Sequence, residues 1–233
     1  MISAVLFDLD DTLYPQASWL DGAWAAVAAR GVELGLPERE FLAALRTVAA
    51  LGSDGGRIID RALERCGYPG GDDTVALLVD AFRRYEPTTL ECYPGVVDEL
   101  RALAPLVRIA IVTDGDPTIQ RAKVRALALD VDVVVCSDDY GRAHRKPDPL
   151  PFRCALDALG IDASHAVFVG DRPHKDVAGA IAVGMRAVRV RTGEYASVAD
   201  DPAPWRSVAS AADGIHMLRH EIAEIAEFGS PVH

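Results

Sequence analysis

The chain has little lysine, little cysteine and no long apolar stretch, and each shortage excludes something. Of its 24 basic residues only Lys123, Lys146 and Lys175 are lysines, leaving 21 arginines. The formal charge is −11, which argues against a nucleic-acid polymer or an anionic membrane as the main partner, since a phosphate backbone needs a basic face. A small anionic substrate needs only a local positive patch, and Arg142, Arg145 and Lys146 with Arg172 are placed to supply one. Cys66, Cys92, Cys136 and Cys154 are widely spaced and form no C-x-x-C pair, so they read as free thiols of a cytoplasmic protein. No apolar run approaches the roughly 18 residues that cross a bilayer; the alanine-rich stretch 23–29 has seven. No basic leader precedes the first apolar run, and we expect no signal peptide.

What is present begins at once. Ala4 to Phe7 is an apolar run that reads as a buried strand, and it leads into three carboxylates within four positions, Asp8, Asp10 and Asp11. On an extended backbone Asp8 and Asp10 share a side, roughly 6–7 Å apart. Paired carboxylates repel unless a cation or a shared proton offsets the charge. The pattern therefore suggests one carboxylate as nucleophile, the other as acid and base, and a divalent metal between them.

Three further motifs follow in order. Ile109-Ala110-Ile111-Val112-Thr113 closes an apolar run and is followed by Asp114-Gly115. Lys146 sits in Arg145-Lys146-Pro147-Asp148-Pro149, and Val167-Phe168-Val169-Gly170-Asp171 is followed by Asp176. With Asp8-Leu9-Asp10-Asp11-Thr12, these resemble the four motifs of the haloacid dehalogenase-like hydrolase superfamily, over about residues 3 to 192. The Leu-Asp-Asp-Thr-Leu-Tyr and Thr-Asp-Gly-Asp-Pro-Thr-Ile-Gln runs look most like capped phosphatases of the pyrimidine nucleotidase and acylneuraminate-phosphatase kind.

From Pro94 onward, apolar runs alternate with helical patterns: extended segments are expected at 107–112, 131–136, 166–169 and 186–190, with helices at 94–103, 117–129, 149–160 and 174–184. Such alternation implies a parallel sheet with helices on both faces, an α/β, Rossmann-like doubly wound core. Ligands bind outside the carboxyl ends of such strands, where all four motifs fall. Residues 194–210 read as loop and 214–227 as a final helix. A strand–helix–strand unit needs about 30 residues, yet about 100 separate Asp8 from Thr113. The surplus carries four helical stripes, punctuated by Pro37, Gly55-Gly56 and Gly67 to Gly71. We expect a core of 1–14 and 89–233 with a four-helix insertion at 15–88, and the resemblance implies that this insertion is a cap closing over the site.

The resemblance also implies roles. Asp8 is the nucleophile that becomes an aspartyl phosphate, and Asp10 protonates the leaving group, then takes a proton from water. Mg²⁺ is held by the Asp8 carboxylate, the Asp10 backbone carbonyl and Asp171, with Asp176 behind, holding metal waters or Lys146. Leu9, Thr113, Asp114 and Gly115 contact phosphate oxygens, and Lys146 neutralises the phosphate. Candidate substrate contacts are Gln16, Trp19, Trp24, Arg57 and His144, with His174 a further neighbour; of the two tryptophans, one is expected to face substrate and one the insertion's own core. Asp11 reads as a turn residue, and Asp116 with Pro117 as a helix start. Asp114, in place of the Asn frequent in related phosphatases, either disfavours a nearby anion or faces solvent. His216 and His220, four residues apart with no carboxylate partner, read as a helix surface.

The expected activity is Mg²⁺-dependent hydrolysis of a small phosphomonoester, with a sugar-phosphate mutase as the alternative. A dehalogenase fits less well because Asp10 is present, and a Schiff-base phosphonate-cleaving enzyme because 15–88 contains no lysine. A catalytically inactive binding protein would have lost a motif residue.

Overall fold

The computed structural model describes residues 1–52, 56–68 and 70–228, with side chains to Glu224. Its contacts divide it into two compact units, Met1–Gln16 with Thr89–His233, and Ala17–Thr88. Gly55 and Pro69, at two of the expected helix breaks, lie outside the described residues.

Among the described residues the second unit holds four helices, α1 (Gln16–Glu33), α2 (Glu38–Ala49), α3 (Ile58–Arg65) and α4 (Asp72–Arg83). Each contributes one apolar stripe to a common core, including Trp24 and Val27, Phe41 and Leu45, Ile59 and Leu63, and Leu78. Gly31 lets α1 approach α2: a Cβ there would lie 2.9 Å from the Phe41 ring. Trp19 stacks edge-on against Phe82 at 5.1 Å and Trp24 lies 4.7 Å from the same ring.

The first unit is built on six strands: β1 (Ala4–Phe7), β2 (Arg108–Thr113), β3 (Val133–Cys136), β4 (Ala166–Gly170), β5 (Arg186–Val190) and β6 (Arg206–Val208). All are parallel, in the order β3-β2-β1-β4-β5-β6. β1 is central and every one of its side chains is buried, which explains why it reads as a continuous apolar run and not as an alternation. Leu6, Val112 and Phe168 face helices α7 (Pro149–Leu159) and α8 (Ala178–Ala182) through Phe152, Leu156 and Ala180. On the other face, a Cβ at Gly214 of α9 (Ala211–Phe228) would meet Val169, Val188 and Val208. α9 is tied to α5 (Val96–Leu103) by Arg219, which donates to Glu99 at 2.6 Å. α6 (Pro117–Ala126) follows β2; Asp116 caps it by accepting from Thr118 N at 3.0 Å, with Pro117 in the first turn as expected.

Two expectations need correction. The segment 194–210 is not all loop, since Arg206-Ser207-Val208 pairs with β5 as an edge strand. Only three residues long, with two exposed side chains, it carries no apolar period to read. The helix expected at 174–184 opens as a wide single turn, Pro173–Val177, and its regular part is only Ala178–Ala182. No helix among the described residues is long and apolar enough to cross a membrane.

Candidate active site

β1 stops at Phe7, before its carboxylates, although the Asp8 amide still donates to Val169 O at 2.9 Å. The chain then turns. The Leu9 carbonyl accepts from the amides of Thr12 and Leu13, and Asp11 adopts a left-handed φ of 60°. The Asp11 carboxylate is spent on the amides of Gln16 (2.9 Å) and Glu194 (3.4 Å), while its carbonyl accepts from Thr192 Oγ1 at 2.5 Å. Gly193 presses against it so closely that a Cβ would lie 2.2 Å from Asp11 Cγ. Asp11 is thus a turn residue. Beyond the strand end, Asp8 and Asp10 each meet a different lysine.

Asp8 meets Lys146. The Lys146 ammonium donates to Asp8 Oδ1 at 2.5 Å and to Asp176 Oδ1 at 2.7 Å, and Thr12 Oγ1 donates to Asp8 Oδ2 at 3.3 Å. The other Asp176 oxygen accepts the Arg172 amide at 2.9 Å. This contact needs Gly170, where a Cβ would fall 2.5 Å from Asp176 Cγ. Asp171 is different: it is fully buried, and neither carboxylate oxygen has a hydrogen-bond partner among the described residues. Oxygens of Asp8, Asp171 and Asp176 lie within 4.8 Å of one another.

The Lys146 ammonium bridges Asp8 and Asp176, and the protonation of Asp8 and Asp171 reflects the buried negative charge around them. Burial, helped by Asp176 and Asp10 against the pull of Lys146, pushes Asp8 up to about 7. Burial with the charges of Asp176 and Asp8 pushes Asp171 up to about 9. Burial alone would lower Lys146, but Asp176 and Asp8 outweigh it and hold its ammonium above the ordinary lysine value. A stranded carboxylate within a cluster of excess negative charge fits a hard, oxygen-seeking divalent cation. Both oxygens of Asp171 stand without a hydrogen bond among the described residues, whereas each oxygen of Asp8 and of Asp176 accepts one.

Asp10 meets Lys123. The Lys123 ammonium donates to Asp10 Oδ1 at 2.7 Å and Oδ2 at 3.0 Å, Tyr14 OH donates to Oδ1 at 2.5 Å and Gln120 Nε2 to Oδ2 at 2.8 Å. Burial works to raise the Asp10 pKa, but Lys123, with Tyr14 and Gln120, outweighs it and keeps the carboxyl below its usual range. Gln120 also donates to Thr113 Oγ1 at 2.5 Å. The sequence reading missed Tyr14, Gln120 and Lys123. The available signal was a Gln and a Lys one helical turn apart on the segment after Thr113, in a chain with three lysines in all.

The remaining candidates separate. Asp114 neither faces solvent nor stands free to repel an anion: Oδ1 accepts the Lys146 amide at 2.9 Å and Oδ2 lies 3.7 Å from Lys175 Nζ, so it ties the second motif to the third. Gly115 takes φ 129°, which a side chain disfavours. Trp19 and Trp24 are 2% and 4% exposed. Trp24 belongs to the core of the helical unit, and Trp19 packs against Phe82 and Tyr85 of the same unit. Gln16 gives its amide to Asp11, and Arg57 is exposed at the start of α3, pairing with Asp60 at 3.4 Å. His144 lies 3.5 Å from Asp148 and joins none of the carboxylate clusters; His174 packs 5.4 Å from the Tyr195 ring. Of the expected positive patch, Arg145 forks onto Asp138 with two contacts of 2.6 Å, and Arg172 lies over Tyr195 at 4.4 Å and 3.9 Å from Glu194. His216 does have a carboxylate partner, Glu99 at 3.2 Å, which also accepts from Arg219.

A family model described as a haloacid dehalogenase-like hydrolase matches residues 2–184. The chain belongs to the haloacid dehalogenase-like hydrolase family. A glyceraldehyde 3-phosphate phosphatase of Methanopyrus kandleri is 36% identical over 203 residues, 84% of this chain and 86% of the relative. A phosphoglycolate phosphatase of Rhodospirillum rubrum is 34% identical over 202 residues, covering 83% and 81%. Among solved structures, a 2-haloacid dehalogenase of Pseudomonas syringae pv. Tomato covers 95% of this chain and 100% of its own at 29% identity, with a TM-score of 0.65. This hydrolase therefore shares its fold with phosphatases and dehalogenases, and the curated relatives it resembles are phosphatases.

Proposed function

We propose that this hydrolase is a Mg²⁺-dependent phosphatase of small phosphomonoesters, working through an aspartyl phosphate on Asp8. One observation carries the reading: the lysine-bridged Asp8–Lys146–Asp176 group lies beside a stranded Asp171, with a second carboxylate, Asp10, two residues from Asp8 and held apart by its own lysine. A dehalogenase has no use for that second carboxylate, whereas expulsion of an alkoxide from phosphorus needs a proton donor. Mg²⁺ held by Asp8 and Asp171, with the Asp10 carbonyl, would supply charge neutralisation between a carboxylate nucleophile and an anionic phosphate.

The chain's own residues do the rest. An Asp8 oxygen forms a bond to phosphorus as the ester P–O bond breaks, and the leaving alkoxide takes a proton from Asp10. Lys123 holds Asp10 ionised in the free site, so Asp10 must first take that proton up as the phosphomonoester, still carrying one, enters. Water then attacks phosphorus, giving a proton to Asp10 as the bond to Asp8 breaks. Lys146 offsets the phosphate charge in both halves, and Thr113 with the Leu9, Asp114 and Gly115 amides receives its oxygens. The names of the relatives support a short phosphorylated aldehyde or acid as substrate, and we assign selection of its organic part to the helical unit. Four cysteines, none in a disulfide, support a cytoplasmic setting. Phosphate release with Mg²⁺ from a panel including glyceraldehyde 3-phosphate, phosphoglycolate and nucleoside monophosphates tests the reading. Activity on some member, lost with chelator and in Asp8→Asn, is expected; release of halide from a haloacid with no phosphate release would overturn it.

A further inference from the structure

We propose that Lys123, together with Gln120 and Tyr14, positions the Asp10 carboxylate for proton transfer, a role that rests on the reading of Asp10 as acid and base. The assignment follows from geometry. Four contacts of 2.5 to 3.0 Å from three side chains engage both Asp10 oxygens. The donors come from both sides: Tyr14 from the turn after β1, Gln120 and Lys123 from one face of α6. All three are nearly inaccessible, at 0%, 2% and 2% exposure. The Lys123 ammonium also lies 6.0 Å from the centre of the Tyr14 ring, so the donors pack on one another as well as on Asp10.

Stability is a poor reason for this arrangement. Removing two charges from water costs about as much as their attraction returns, and apolar replacements of similar volume are often neutral or better. What the ion pair does supply is a fixed place for a short side chain that otherwise has two free torsions. Gln120 extends the device, because its amide has two donor hydrogens and uses them on Asp10 Oδ2 and Thr113 Oγ1. With its oxygen accepting from Gln120, the Thr113 hydroxyl keeps its own hydrogen for a phosphate oxygen. One face of α6 thereby sets the proton-transfer group and a phosphate donor in a single register.

A positioning residue acts through its neighbour, so its loss is felt only where the neighbour matters. Phosphoglycolate expels a poor alkoxide leaving group that needs a proton; p-nitrophenyl phosphate expels a stable phenolate that does not. kcat/KM for both, in the full-length protein with Mg²⁺, is measured for wild type, Asp10→Asn, Lys123→Met, Tyr14→Phe and the double variant Asp10→Asn/Lys123→Met. Displacing a proton donor by about an ångström costs roughly 10²-fold, so Lys123→Met should lose about that factor on phosphoglycolate. The loss on the nitrophenyl ester should be much smaller. In the Asp10→Asn background the same substitution should cost little more, because the group it serves is gone. Tyr14→Phe removes one hydroxyl and should show the same split more weakly, which keeps the test alive if Lys123→Met does not fold. An equal loss on both esters, additive effects in the double variant, or a gain on phosphoglycolate would overturn the positioning role. If Asp10→Asn itself shows no selective loss, the underlying assignment of Asp10 fails instead.

Discussion

Acidifying the protein should expel a bound divalent cation far more steeply than the ordinary titration of aspartate allows. Asp8 sits at about 7 and Asp171 at about 9 when no cation is bound, both far above the usual carboxylate range. A cation must displace whatever protons these groups hold. Each group raises the other's hold on its proton, so the pair is fully ionised only toward the alkaline end of this range. Apparent affinity for Mg²⁺ should therefore rise steeply from pH 6 to pH 9, by up to about tenfold per pH unit for each proton displaced. The same linkage acts on stability. Because the folded carboxylates hold their protons more tightly than unfolded ones, the cation-free fold loses stability as pH rises from the ordinary carboxylate value through 7 toward 9. Added Mg²⁺ should then raise Tm little at pH 6 and progressively more up to pH 9. Calorimetric titration with Mg²⁺ at pH 6, 7, 8 and 9, repeated in two buffers of different ionisation enthalpy, counts the protons released directly. An affinity that is flat from pH 6 to 9, with no proton release, would refute the reasoning and mean that the cation binds elsewhere or not at all.

Asp8→Asn keeps the shape of the side chain and removes its nucleophilic charge; turnover should vanish while the melting transition stays cooperative, and retention of more than about a hundredth of the activity would move the nucleophile elsewhere. Asp176→Asn removes one of the two carboxylates holding Lys146, and a roughly 10–100-fold loss in turnover or Mg²⁺ affinity is expected, as for other groups standing behind metal ligands; unchanged values in both measurements would show the bridge to be idle. Gly179→Ala should destabilise by about 1–3 kcal/mol although alanine normally favours a helix, because the new Cβ would lie 2.3 Å from the Phe152 ring and 3.3 Å from Pro147 Cα. A denaturant midpoint equal to or above that of the wild type would contradict that packing.

The sheet unit was readable because three of the four motifs sit where an apolar run ends, and an apolar run of four to six residues between helical patterns has few other readings. Asp8, Thr113, Lys146 and Asp171 are far apart in the chain, yet parallel strands bring their carboxyl ends to one edge, so the order of the runs was enough to gather them. Pairing was harder to read. Alternation along a strand assigns a side chain to a face, and it put Asp8 and Asp10 together on one. The strand stops at Phe7, and Asp11, at φ 60° and pinned by Gln16, Glu194 and Thr192, turns the backbone after both carboxylates. Which lysine each carboxylate meets then depends on neighbours that only the strand order supplies. The segment after β3 delivers Lys146 to Asp8 across β2, and the helix after β2 delivers Lys123 to Asp10. Lysine scarcity was the one trace of this in the sequence. A chain that uses arginine 21 times and lysine three times has put all three lysines against carboxylates around the motifs: Lys123 on Asp10, Lys146 on Asp8 and Asp176, Lys175 near Asp114. A compact ammonium on an unbranched stem can enter a narrow buried gap between two carboxylates where a planar guanidinium fork would not fit. That makes the residue type itself, and not only its position, a sign of where the chemistry is.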